Sequence, residues 1–150
     1  GISHGSPPRP FFAHLSGVSE LMNNLFGEQY LTDAGLYHSV YGTSYFKFES
    51  SVKREEIKAL IGSKAENLVY TFCSLESRTI QILQNKFESD IQKDLYKLEY
   101  ANILEQSVYY SKHSFQINQS LRFQLKLIKA NLKDHFSIEL PPATITFALS

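Results

Sequence analysis

The chain has 150 residues, 43% apolar and 20% charged, and its fifteen basic and fifteen acidic side chains cancel. Such a length predicts one domain, and the charge balance leaves no global field for DNA, RNA or an anionic membrane. A single cysteine excludes an intrachain disulfide and a cysteine-built zinc site, and no apolar run reaches the length of a membrane span.

Residues 1–10 are expected to be disordered. Gly1 to Ser6 begins without methionine and is read as partly a cloning remnant, so His4 is given no functional weight. Pro7-Pro8-Arg9-Pro10 stops any earlier helix. From Phe11 the apolar positions Phe11, Phe12, Leu15, Val18, Leu21, Met22, Leu25 and Phe26 recur in steps of three and four. That spacing marks one face of a helix with His14 on its edge, and Gly27 ends it. A second helix, capped by Thr32 or Asp33 or begun at Tyr30, is predicted to carry Leu31, Ala34, Leu36 and Tyr37 and to close at Gly42. Tyr45, Phe46 and Phe48 then suggest an aromatic loop, either a lid or a dimer contact.

Ser50 or Ser51 should open a short helix running to Gly62, with Glu55 and Glu56 near its positive end. Ser63 and Glu66 read as a capping box for the next helix, to about Leu75. Some helical character follows around Ile80 to Phe87. A long helix is expected from about residue 90, through Leu95, Leu98, Ala101, Ile103, Leu104 and Val108. A last one carries Leu121, Leu125, Ile128 and Leu132 on one face. After Pro141-Pro142, Ala143 to Leu149 reads as a short strand or an irregular tail. The fold class is all-α: one helical domain of about six helices over residues 11–140, then a tail over 141–150.

His14 and His38, on neighbouring helices and each near an apolar face, carry the sharpest chemical signal. Taken alone they read as satisfied structural histidines or as an acid–base pair, since imidazole titrates near neutral pH. Tyr41 is either a packed aromatic with a wet tip or a phenol that orients or donates. Ser39 is either a helix-end hydroxyl or a ligand donor. Asn102 and Gln106 lie on a helix that is apolar all round, where an amide needs a partner or a ligand. Cys73, inside Leu68-Val69-Tyr70-Thr71-Phe72-Cys73, reads as a small buried hydrophobe. Lys126, Lys129 and Lys133 read as a solvated face. Without a signal-peptide pattern, a cytoplasmic protein is expected.

Four stretches resemble, in order, the hydrolase domain of the RelA/SpoT-type guanosine polyphosphate enzymes within the HD-domain superfamily. They are Arg9-Pro10-Phe11-Phe12-Ala13-His14-Leu15, then Ala34-Gly35-Leu36-Tyr37-His38-Ser39-Val40-Tyr41-Gly42-Thr43, then Ile61 to Val69, then Lys97 to Gln106. The chain also resembles a set of short uncharacterised proteins with an H-S-V/I-Y-G-T signature. The resemblance implies a degenerate HD-type bundle. Ser39 stands at the HD aspartate, Tyr41-Gly42 at the following acidic pair, and Asn102 at the last ligand aspartate. The metal positions would then be His14, His38 and Asn102, with Glu99 as a substitute ligand, and the expected cofactor is one divalent ion or none.

The expected function is that of a small-molecule enzyme using acid–base chemistry, as a lyase, isomerase, cyclase or hydrolase. Its catalytic residues would be His14, His38 and Tyr41. Substrate would meet Arg9, Tyr37, Ser39, Thr43, Asn102 and Gln106. The alternatives are a metal-dependent phosphohydrolase of a nucleotide-like substrate, a non-catalytic ligand-binding or regulatory domain, and a purely structural interaction domain. The expected partner is a small molecule rather than nucleic acid or membrane, with a homodimer left open.

Overall fold

The structure, a computed structural model, describes residues 11–42 and 52–142. Its helices are α1 (Phe11–Phe26), α2 (Gln29–Tyr37), α3 (Arg54–Ser74), α4 (Arg78–Leu83), α5 (Ser89–Tyr110) and α6 (Phe115–Phe136). Among the described residues every regular element is helical. The expected tail strand and the aromatic loop both fall outside those residues.

The bundle is built around α5. Every residue from Asp94 to Leu104 is buried, so this helix has no solvent face over three turns. The other five helices all contact it. Val18, Leu21 and Met22 of α1 and Leu31 and Ala34 of α2 cover one side of this core. Leu121, Leu125, Ile128 and Leu132 of α6 cover another, the face read from the sequence. Phe11 and Phe12 depart from the expected α1 face and are exposed.

Close approach of α1 and α2 depends on Gly35. A Cβ there would sit 3.0 Å from the Ser19 Cα, so a larger residue would drive the two backbones apart. Ser19 ties the pair further, its hydroxyl donating to the Thr32 carbonyl at 3.0 Å.

Two boundaries differ from the sequence reading for physical reasons. α2 ends at Tyr37 rather than at Gly42. His38 Nδ1–H reaches back to the Gly35 carbonyl at 2.7 Å and so satisfies one of the acceptors that a helix end leaves open. The chain then passes through two tight turns, Val40 N–H to Tyr37 O and Gly42 N–H to Ser39 O, and leaves with Gly42 at a φ of 82°.

The helices expected on either side of Gly62 run on as α3, kinked where Gly62 takes φ 87° and ψ 164°. Glu66 does not serve as a capping-box partner. Its buried carboxylate instead accepts from Arg54 (2.8 and 2.9 Å) and from the Tyr41 hydroxyl (2.7 Å). A charged donor reaching Glu66 from the first turn of α3 outcompetes the weaker local cap.

Candidate functional site

α1 delivers His14 and the end of α2 delivers His38 to one place. Their rings stand edge to face, with centroids 5.1 Å apart and planes at 77°. Each ring has its Nδ1 held by an oxygen. His14 Nδ1 lies 2.5 Å from Glu105 Oε1 on α5, and both side chains are largely buried. The approach is possible because Gly17 leaves the space through which the Glu105 side chain passes; a Cβ there would lie 2.8 Å from Glu105 Cγ.

A carboxylate accepts only, so the His14 proton lies on Nδ1 and Nε2 is the basic nitrogen. The arrangement matches the histidine–carboxylate half of a hydrolytic triad, in which the anion orients the ring and offsets charge that builds on it.

His38 lies in a different environment. It is 3% exposed, and Nδ1–H is committed to the Gly35 carbonyl. Burial pulls its pKa down from 6.5 to about 4; the Gly35 acceptor opposes that shift and the Arg78 charge adds to it. His38 is therefore neutral at physiological pH, with its lone pair on Nε2. Phe72 stands edge-on to the ring at 5.9 Å. The Arg78 guanidinium lies over the Phe72 ring, 3.8 Å from its centroid, and Arg78 Nε–H donates to the Phe72 carbonyl at 3.1 Å. Cys73 donates its thiol hydrogen to the His38 carbonyl at 3.0 Å, and burial pushes the thiol pKa up, away from thiolate chemistry.

Glu99, Asn102 and Glu105 follow one another at intervals of three on α5 and so share a face. Asn102 Nδ2–H donates to Glu99 Oε1 at 3.1 Å, while Asn102 Oδ1 is buried without a hydrogen-bond partner. Glu99 Oε2 lies 2.8 Å from the Thr79 hydroxyl, which lies 2.9 Å from Gln124 Oε1 on α6. One hydroxyl proton cannot serve both oxygens. Thr79 donates to Glu99 Oε2, and the Gln124 amide, turned with its nitrogen toward Thr79, resolves the count. Burial raises the Glu99 pKa, against the opposing Arg78 charge and the Asn102 and Thr79 hydrogen bonds. Thr79 and Gln124 also line a surface groove of about 430 Å³ between α4 and α6, with Ile80, Leu83 and Phe123 among its walls.

The structure thus brings His14 and His38 together and places Asn102 on the helix face that reaches His14. Tyr41 is directed elsewhere: its hydroxyl is spent on Glu66 and its ring packs edge-on to Tyr70 at 5.8 Å. Burial and the Glu66 carboxylate push its phenol pKa up. Tyr37 is half-buried against the core, Ser39 sits in the turn after α2, and Gln106 is half-buried beside Glu105. Arg9 and Thr43 lie outside the described residues.

Sequence reasoning missed Glu105, Thr79, Arg78 and Gln124. The signal for Glu105 was its place three residues after Asn102, on the face already singled out.

Residues 4–77 match the model of a family described as a domain of unknown function, DUF6817. The matched span is just under half of the chain. It covers α1 to α3, with His14, His38 and Glu66, and stops before Glu99, Asn102 and Glu105. No curated protein and no solved structure matches the chain.

Proposed function

We propose that the chain is a small-molecule enzyme with a degenerate HD-type pocket that works by acid–base chemistry without a metal ion. The observation that carries this reading is the edge-to-face pair of imidazoles in unlike electrostatic surroundings. His14, backed by the Glu105 carboxylate, is the general base, and the ring can hold the proton it removes. His38 is neutral and offers a second acceptor beside it. Two titratable groups held in unlike environments can divide the work of acid and base between them. Asn102 positions the substrate from α5. Tyr41 is left out of the chemistry and supports the turn that carries His38.

A divalent ion is the second reading, favoured by two Nε2 atoms whose rings are oriented from behind, as metal-ligating histidines usually are. The donor set does not suit a hard dication. Two neutral imidazoles and an amide oxygen bring no charge, and the Glu99 and Glu105 carboxyls are already engaged by Thr79, Asn102 and His14. Among the described residues no group of three or more His, Cys, Asp or Glu side chains is arranged to hold a metal. Protein purified without chelator is expected to carry far less than one equivalent of manganese, iron or zinc. A stoichiometric metal lost in His38→Ala would reverse the order of the two readings.

The test of the acid–base reading is substrate depletion from a metabolite extract, followed by mass spectrometry. Wild type should consume at least one compound that His14→Gln and His38→Gln leave untouched while both variants remain helical. Equal depletion by the doubly substituted protein would remove the reading.

A further inference from the structure

Among the described residues the buried side-chain polar atom left without a partner is an acceptor, Asn102 Oδ1, and a second lone pair lies on His38. Asn102 is 6% exposed; its Nδ2–H is given to Glu99, and its Oδ1 has no partner. His38 is 3% exposed; its Nδ1–H is given to the Gly35 carbonyl, so Nε2 is a lone pair, and among the described residues none bonds it. A buried acceptor left without a donor is costly, and native proteins rarely retain one without a purpose.

Two observations link the residues that carry these atoms. Asn102 lies one turn before Glu105, which holds the His14 ring 5.1 Å from the His38 ring. The Arg78 charge also acts on both His38 and Glu99, the residue to which Asn102 is bonded. That cation is turned onto the Phe72 ring and carbonyl.

Resting on the acid–base reading above, we propose that this site takes a small ligand presenting hydrogen-bond donors, a hydroxyl or amino compound, which Asn102 Oδ1 and His38 Nε2 receive. A phosphate or carboxylate would set its own lone pairs against these two acceptors, with the Glu105 carboxylate nearby. A hydroxyl or ammonium group matches both and supplies a proton within reach of the His14–Glu105 pair. Glu99 makes the selection firm: by accepting from Nδ2 it leaves the oxygen as the open atom of the Asn102 amide.

The experiment uses matched probes on the whole chain: n-propanol, n-propylamine, propionate and inorganic phosphate. Binding is followed by the side-chain ¹⁵N signals of His38 and the side-chain amide of Asn102. Propanol or propylamine should move both sets of signals, propionate and phosphate neither. Asn102→Leu should weaken the responding probe about tenfold, as expected for loss of one buried hydrogen bond.

The proposal is overturned if propionate or phosphate is the probe that moves these signals, or if no probe does. The wild-type comparison decides this even if Asn102→Leu fails to fold. Because the readout is binding, its failure leaves the acid–base reading to the depletion assay. Conversely, donor binding without any depletion would remove the enzyme reading and leave the site.

Discussion

His38 ties its protonation to the fold. In the unfolded chain it titrates near 6.5, and in the fold near 4. Above the unfolded value both states are neutral and its contribution is fully present. As pH falls from there toward 4, the unfolded chain takes up a proton that the fold refuses, and stability is lost, by up to about 3 kcal/mol. Chemical denaturation across this range should therefore show a steeper acid loss for wild type than for His38→Gln; parallel curves would mean that His38 titrates normally.

Glu99 has the opposite sign. A carboxyl whose pKa burial raises contributes most below its unfolded value, and that contribution fades as pH rises through the folded one. Since burial disfavours its charge, Glu99→Gln should cost less than about 1 kcal/mol and flatten the loss of stability as pH rises through the folded value. Thr79→Val strands the polar groups on either side of its hydroxyl and should cost about 1–3 kcal/mol. A Glu99→Gln variant damaged as badly as Thr79→Val would show that Glu99 is ionised.

At the scale of helices, two glycines do separate jobs. Gly35→Ala would press a Cβ against the Ser19 backbone of α1. It should destabilise by about 1–3 kcal/mol, the usual range for overpacking where the neighbour cannot yield. Gly17→Ala meets only the Glu105 side chain, and alanine favours a helix by about 1 kcal/mol. Its melting temperature should change little while the His14–Glu105 contact is broken, visible as a change in the His14 ring signals and a loss of turnover. Intact His14 signals in Gly17→Ala would show that Glu105 reaches His14 by another path.

The same two helices show what could be read from sequence. The apolar steps of α1 and the Gly27 stop are local, and so is the face Leu121, Leu125, Ile128 and Leu132 of α6. The Glu105 partner of His14 is 91 residues away and depends on where two helices cross. Glu66 fitted a local capping rule but is captured by Arg54, and the shortened α2 depends on a histidine ring bonding its own helix end. Local periodicity carries no information about such captures.

For the molecule as a whole, site and stability can be varied independently. Ile128 of α6 is fully buried in the common core, whereas the site is assembled by α1, α2 and α5. Ile128→Ala should cost about 2–5 kcal/mol and lower the melting temperature by roughly 5–15 °C. The His14 and His38 ring signals should stay in place in the variant below its transition. Coupled loss of both would mean that the pocket has no rigidity apart from the core as a whole.

Two adjacent imidazoles held in unlike surroundings are the centre of the proposed site, and a pH titration of ¹⁵N-labelled histidine side chains tests that directly. His38 should remain a neutral ring with its proton on Nδ1 until the pH approaches 4, and Glu105→Gln should alter the His14 titration without moving that of His38. A His38 that titrates near 6.5, or that carries its proton on Nε2, would contradict the account.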